Sequence, residues 1–282
     1  MQKAPLSIII PAYNEENRLP PTLDIVLEWV SKTSVFDVEL IIVDDGSEDQ
    51  TCDIVRSYMT RYSWIKLVEE NHVGAMHATI SGFKQATSSL VANMEADCAV
   101  HPQEFEKFLP HLENHGIVMG SRILRGKLPP IQGKSPFRHL LSFGMSSIFL
   151  ILFKCNLYDP QIGFKLFKKE ALLKVLPLLT SPHDGIKSAE ILVKAYSSNY
   201  SIKEIPVEYK HHPDSRCVPK GAFLVIFRAI LATFQLWEQS YREYQDGLIE
   251  RLPIRGNLLL DFWDHICVKS KKLCNKAIPE KQ

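Results

Sequence analysis

The chain has 282 residues, 45% apolar and 23% charged, with 33 basic against 32 acidic residues for a net charge of +1. That length fits about one to two domains with a core that needs no disulfides or metals, and the near-neutral charge argues against a general nucleic-acid binder and against a disordered chain. Its six scattered cysteines form no CxxC and no Cys/His cluster, so neither a zinc site nor a disulfide framework is expected and a reducing cytosol is the default compartment.

The opening MQKAPLSIIIPAYNEE is broken by Pro11 and does not read as a signal peptide. Within it LSIII (6–10) predicts a buried strand. Pro20-Pro21 opens a helix in which Leu23, Val26, Leu27 and Val30 recur at helical spacing. VELIIV (38–43) predicts a second buried strand, running into Asp44-Asp45-Gly46-Ser47. A helix over 49–62, a strand over 64–68, a helix over 75–87 and a strand over 90–94 follow, the last ending in Glu95-Ala96-Asp97. Strands alternating with helices predict an α/β fold, a mostly parallel sheet flanked by helices, with ligands at the carboxyl ends of the strands. Further on, the pattern predicts a helix over 103–112 and a strand over 116–119 leading to Gly120-Ser121-Arg122. A mobile loop over 124–136, a helix over 170–179 and a strand over 200–208 complete the series. Two stretches, 138–153 and 221–237, are strongly apolar, but no 18-residue run is clean enough to span a membrane.

Acidic clusters follow three of these strands: Asn14-Glu15-Glu16, Asp44-Asp45, and Glu95 with Asp97. Any one of them is an ordinary turn or capping set. Together on one sheet edge, they would repel unless they bind a cation or hydrogen-bond a ligand. Oxygen donors at an acid-x-acid spacing suit Mg²⁺ or Mn²⁺ bridging a diphosphate.

Taken together, IIIPAYNEENRLPPTLDIVL (8–27), ELIIVDDGSEDQT (39–51), MEAD (94–97), MGSR (119–122), DPQIGFKLFKKEAL (159–172) and IKEIPVEY (202–209) resemble the family 2 glycosyltransferases of GT-A (Rossmann-like) fold. More narrowly, the chain resembles the synthases that load a sugar onto dolichyl or polyprenyl phosphate. The run from Tyr13 to Asp24 and the GFKLF segment are similar to the dolichyl-phosphate glucosyltransferases. The resemblance implies a nucleotide pocket of Pro11, Tyr13, Glu15, Val43, Asp45, Glu95 and Ala96. It implies metal ligation by Asp97 with Glu95, phosphate contact by Arg122, and an acceptor side of Gly163, Phe164, Lys165 and Arg216. It also implies a cytoplasmic enzyme, peripheral at the membrane, that moves a hexose from UDP-glucose or GDP-mannose to a polyprenyl phosphate with inversion.

The chain departs from that family in four places. Glu95 stands where Asp is usual, and the glycine-rich turn is reduced to Asn71-His72-Val73-Gly74-Ala75. A late acid has become Lys187 or Ser188, leaving Glu190 as the base should the acceptor be a hydroxyl. Lys210 to Arg216 only partly match the acceptor stretch. A non-lipid acceptor, or a nucleotide-sugar-binding protein without catalysis, are the alternatives. His211 and His212, followed by Pro213-Asp214, read as a solvated turn. Residues 138–153 and 221–237 read either as core helices or as amphipathic helices at the membrane surface, with Arg138, His139, Lys220 and Arg228 toward anionic headgroups. Residues 1–215 are expected to form the catalytic domain, and 216–282 a helical extension with a basic tail.

Overall fold

The computed structural model describes residues 2–122, 152–153, 157–181, 184–210 and 222–247, with the backbone alone at 185, 222–229 and 245. The expected loop at 124–136, most of the 138–153 run, Arg138, His139, His211, His212, Arg216, Lys220 and the basic tail lie outside these residues.

Seven strands form one sheet: β1 (Ala4–Ala12), β2 (Phe36–Asp44), β3 (Ile65–Glu69), β4 (Leu90–Asn93), β5 (Ile117–Ser121), β6 (Lys165–Lys168) and β7 (Ile202–Pro206). Their spatial order is β3-β2-β1-β4-β6-β5-β7. Every pairing is parallel except those of β6, which runs antiparallel to both β4 and β5. The mostly parallel α/β sheet read from the sequence is therefore what the chain forms. β1 and β2 pair along their whole lengths, and Leu6, Ile8, Ile9, Ile10, Leu40, Ile41, Ile42 and Val43 are all fully buried. Such continuous apolar runs mark strands covered by helices on both faces.

The helices are α1 (Leu19–Lys32), α2 (Thr51–Met59), α3 (Ala75–Gln85), α4 (Glu104–Phe108), α5 (Lys169–Val175), α6 (Asp184–Ser197) and α7 (Ala222–Gln245). Two expected helices are shorter than their apolar patterns. Pro110 and Pro177 lie at the starts of 3₁₀ turns, Leu109–Glu113 and Leu176–Leu178, into which α4 and α5 pass. Proline has no N–H for an α-helical bond, so the helix tightens there.

The apolar stretches resolve toward the core where they are described. Leu152 and Phe153, at the end of the first, are both buried. In α7, Ala232, Thr233, Leu236, Trp237 and Ser240 form a buried stripe at helical spacing, and the fully buried Lys194 of α6 pairs with Glu243. This length of helix belongs to the packed body of the protein. Among the described residues no helix is long and apolar enough to cross a membrane.

Phe164, expected on the acceptor side, is instead a core residue. It is 1% exposed and stacks on Phe105 at 3.9 Å between centroids, with Phe108 edge-on at 5.5 Å. A stacked trio at the seam between α4 and β6 leaves no face for a ligand. Phe164→Ala is expected to destabilise the fold by about 3–5 kcal/mol. Urea unfolding checks this; a loss well below 1 kcal/mol would mean that the ring is not packed as described.

Candidate active site

The carboxyl ends of β1, β2, β4 and β5 carry the candidate residues in two connected clusters. In the first, the loops after β1 and β2 interlock through backbone groups. Asn14 N–H donates to Ser47 Oγ (2.8 Å), Glu48 N–H to Asn14 Oδ1 (2.8 Å), and Glu15 N–H to Thr51 Oγ1 (2.8 Å). Asn14 takes a positive φ of 53°, a conformation asparagine tolerates better than most residues. Glu15 is nearly buried, and Arg18 one turn on meets it with both Nε and Nη2. Glu15 thereby secures the start of α1.

Asp45 is 2% exposed and lies at the centre of this cluster. Its carboxylate accepts N–H groups from Val73 (2.9 Å) and Gly74 (3.0 and 3.2 Å). His72 Nδ1 lies 3.0 Å from one of its oxygens, and the His72 ring stacks on Tyr13 with centroids 4.1 Å apart. Tyr13 and Asp45, expected together, are thus joined by the shortened 71–75 turn. Val43 sits behind them, fully buried and level with Pro11 in the ladder.

The second cluster begins at Glu95-Ala96-Asp97. Thr22 Oγ1 of α1 donates to the Ala96 carbonyl (2.8 Å), and Asp97 Oδ1 accepts Ala99 N–H (3.1 Å). These bonds hold a tight turn in which Cys98 adopts φ 50°. Asp97 faces a cavity of about 550 Å³ that Arg18, His101, Glu208 and Lys210 also line. Glu95 lies against Gly163, where an added Cβ would come within 2.8 Å of Glu95 Cγ. Gly163, expected on the acceptor side, therefore makes room for the first acid of the pair.

Beside this pair stands a buried ionic group that the sequence motifs show only in part. Arg122 Nε and Nη2 each donate to Asp159 at 2.7 Å, a two-bond fork, and Arg122 N–H donates to the same carboxylate at 3.0 Å. The Tyr209 ring lies 5.2 Å from the guanidinium. Asp159 is positioned in turn by Glu204, which accepts the N–H groups of Tyr158 and Asp159, both at 2.8 Å. Burial raises the Glu204 carboxyl above its usual range. Lys165 is buried and donates to the Ile162 carbonyl and to Ser188 Oγ (2.9 Å). Ser188, one of the two residues that could stand in place of the late acid, thus lies opposite a buried lysine.

The motifs do not single out Asp159 or Glu204. In IKEIP (202–206) Glu204 stands beside Lys203 and reads as an ordinary charge on an edge strand, so its role is not visible in the sequence. Glu190 stands apart from both clusters. It is fully buried, and its carboxylate accepts N–H groups from Thr180 (2.8 Å) and Ser181 (3.1 and 3.2 Å). Those bonds fasten the approach to α6, and a carboxylate so engaged is not placed to take a proton from an acceptor. Lys165 likewise faces protein groups and offers no surface to an acceptor.

The acid pair fits a divalent cation. Burial, and then the Asp97 charge, push the Glu95 carboxyl above its usual range, with Arg122 and Lys165 pulling the other way. A cation between the two acids would relieve that cost. No group of three or more His, Cys, Asp or Glu side chains among the described residues could hold a metal alone. Two protein carboxylates would suit an ion such as Mg²⁺, which as a rule keeps several waters and takes few protein ligands.

The chain matches the family described as glycosyl transferase family 2 over residues 7–176. It is 33% identical over 227 residues to dolichyl-phosphate beta-glucosyltransferase ALG5A of Trichomonas vaginalis, covering 77% of this chain and 69% of that one. With dolichyl-phosphate beta-glucosyltransferase of Dictyostelium discoideum it shares 31% identity over 238 residues, covering 80% and 72%. Its fold matches glucosyl-3-phosphoglycerate synthase from Mycobacterium tuberculosis, solved with Mn²⁺, UDP and glucosyl-3-phosphoglycerate. The TM-score is 0.61 at 16% identity, over 83% of this chain and 80% of that one. The architecture is that of the GT-A glycosyltransferases. The chain belongs to glycosyl transferase family 2.

Burial holds the Lys165 ammonium down to about 8, against the pull of the Asp159 and Glu95 charges. The unfolded lysine keeps its proton to about 10.5. Between those values the unfolded chain binds more protons at this site, so the Lys165 contribution to stability rises with pH across that window. Urea unfolding from about pH 7.5 to about 10.5 should show a steeper rise for the wild type than for Lys165→Met. Parallel curves would mean that Lys165 titrates as an exposed lysine does.

Proposed function

We propose that this protein transfers glucose from UDP-glucose to dolichyl or a related polyprenyl phosphate, with a divalent metal ion and inversion at the sugar C1. The observation that carries the reading is the Glu95–Asp97 pair at the end of β4 beside the forked Arg122, in a chain whose relatives bear the name dolichyl-phosphate beta-glucosyltransferase.

Transfer breaks the bond between C1 and the diphosphate oxygen, and the leaving diphosphate gains negative charge. Glu95 and Asp97 would hold the metal ion, which supplies Lewis-acid stabilisation of that charge. Arg122 adds a fixed positive charge, and because the Asp159 fork takes Nε and Nη2, the group is oriented before the reaction begins. Tyr13, His72 and Asp45 enclose the base and ribose. A phosphate acceptor is already anionic and attacks C1 without a strong general base, which agrees with the engaged state of Glu190.

With dolichyl phosphate in detergent and a panel of UDP- and GDP-sugars, glucosyl transfer from UDP-glucose should require Mg²⁺ or Mn²⁺. Asp97→Ala should lower the rate by about 10²-fold or more, and Glu95→Ala by less. Undiminished transfer in EDTA would end the metal role, and a preference for GDP-mannose would replace the glucose reading.

The acceptor chain lies in a bilayer, so the protein is also proposed to bind the membrane surface peripherally. Cosedimentation with anionic vesicles should fall as salt rises, since each Lys or Arg near the surface contributes about 1 kcal/mol that ions screen. Absence of vesicle binding at low salt would point to a soluble acceptor.

A further inference from the structure

The 72–77 turn is held between two carboxylates from distant parts of the chain. From the end of β2, Asp45 accepts the N–H groups of Val73 and Gly74. From the first residue of α6, Asp184 accepts those of Met76 (3.1 Å to each oxygen) and His77 (3.1 Å). Met76 and His77 are the second and third residues of α3, whose N–H groups have no partner within the helix. Gly74, at the cap position, has no side chain to meet them, so Asp184 acts as the cap from another helix, with its charge at the favourable end of the α3 dipole. The fit is close. A Cβ on Gly74 would lie 2.7 Å from Asp184 Cγ, and Gly74 takes φ 140°.

This turn carries His72, the residue that stacks on Tyr13 and touches Asp45. We infer that Asp184 is a positioning residue for the nucleotide donor: it reaches from α6 to hold the turn in the shape that lets Tyr13, His72 and Asp45 meet a nucleoside diphosphate. The inference rests on the nucleotide reading above and adds a residue that touches neither the donor nor the reacting atoms. α6 also supplies Ser188 to the buried Lys165, and its Glu190 fastens residues 180–181. One helix thus serves both the donor turn and the buried ionic group, and a shift of α6 reaches the donor through Asp184.

UDP binding to the intact chain by calorimetry, steady-state kinetics and amide exchange test this together. Asp184→Ala removes both acceptors; Asp184→Asn keeps the shape and one oxygen, and carries the test should the alanine variant fail to fold. Exchange at Met76 and His77 should quicken in both. The Kd for UDP should rise about tenfold in Asp184→Ala and about threefold in Asp184→Asn. Donor KM should follow, with kcat at saturating donor within about twofold of wild type. Unchanged UDP affinity in a folded Asp184→Asn whose turn exchanges faster would overturn the inference alone, as would a fall in kcat at constant donor KM. A wild-type chain that binds neither UDP nor GDP would overturn the nucleotide reading and this inference with it.

Discussion

Arg122 and Asp159 meet in a fork where little water reaches, and much of the site depends on that pairing. Removing one member would strand a charge in the interior, a change worth about 3–5 kcal/mol. The pair is not isolated. Arg122 follows β5, Asp159 precedes β6, and Glu204 of β7 grips the backbone at Tyr158 and Asp159. Three parts of the second half of the sheet are tied at one point. Around it stand the acids Glu95, Asp97, Asp159 and Glu204 against the cations Arg122 and Lys165. Burial first, and the Asp97 charge after it, keep the Glu95 carboxyl from ionising readily, and a cationic guest would offset both.

The first half of the fold was legible because burial on both faces demands unbroken β-branched runs, and β1 and β2 have them. β6 was not. Its four residues, Lys165 to Lys168, contain only Leu166 and Phe167 as apolar side chains and show no period of their own. They become a strand because β4 and β5 flank them, a tertiary effect that local preference does not encode. α6 was not read either, although it is about as amphipathic as the helices that were; Ile186, Ala189, Ile191, Leu192, Val193 and Ala195 are buried as it packs against α3, α5 and α7.

The site divides along the same line. Asp45, Glu95, Asp97 and Arg122 follow strands as recognisable clusters, and the structure sets them along one edge. Phe164 and Lys165 belonged to the same short motif as Gly163, yet only Gly163 touches the acid pair, while Phe164 turns into the aromatic core and Lys165 into the protein interior. Asp184 and Glu204 act on backbone N–H groups far away in sequence. Any residue can donate such a bond, so no pattern of side chains reveals the partner.

The reversed strand has a consequence for how the chain is assembled. β5 never pairs with β4; β6 lies between them and bonds to both. As the chain leaves the ribosome, β1 to β4 can pair with one another before any later strand exists, while the 72–77 turn still lacks Asp184 and β4 still lacks β6. Residues 117–121 must then wait, with their sheet partners still unmade, until residues 165–168 and 202–206 arrive. The sheet half bearing Tyr13, Asp45 and Asp97 can thus pair first, but both halves of the site wait on the later chain: the donor turn on Asp184, and Arg122 on a strand inserted out of order.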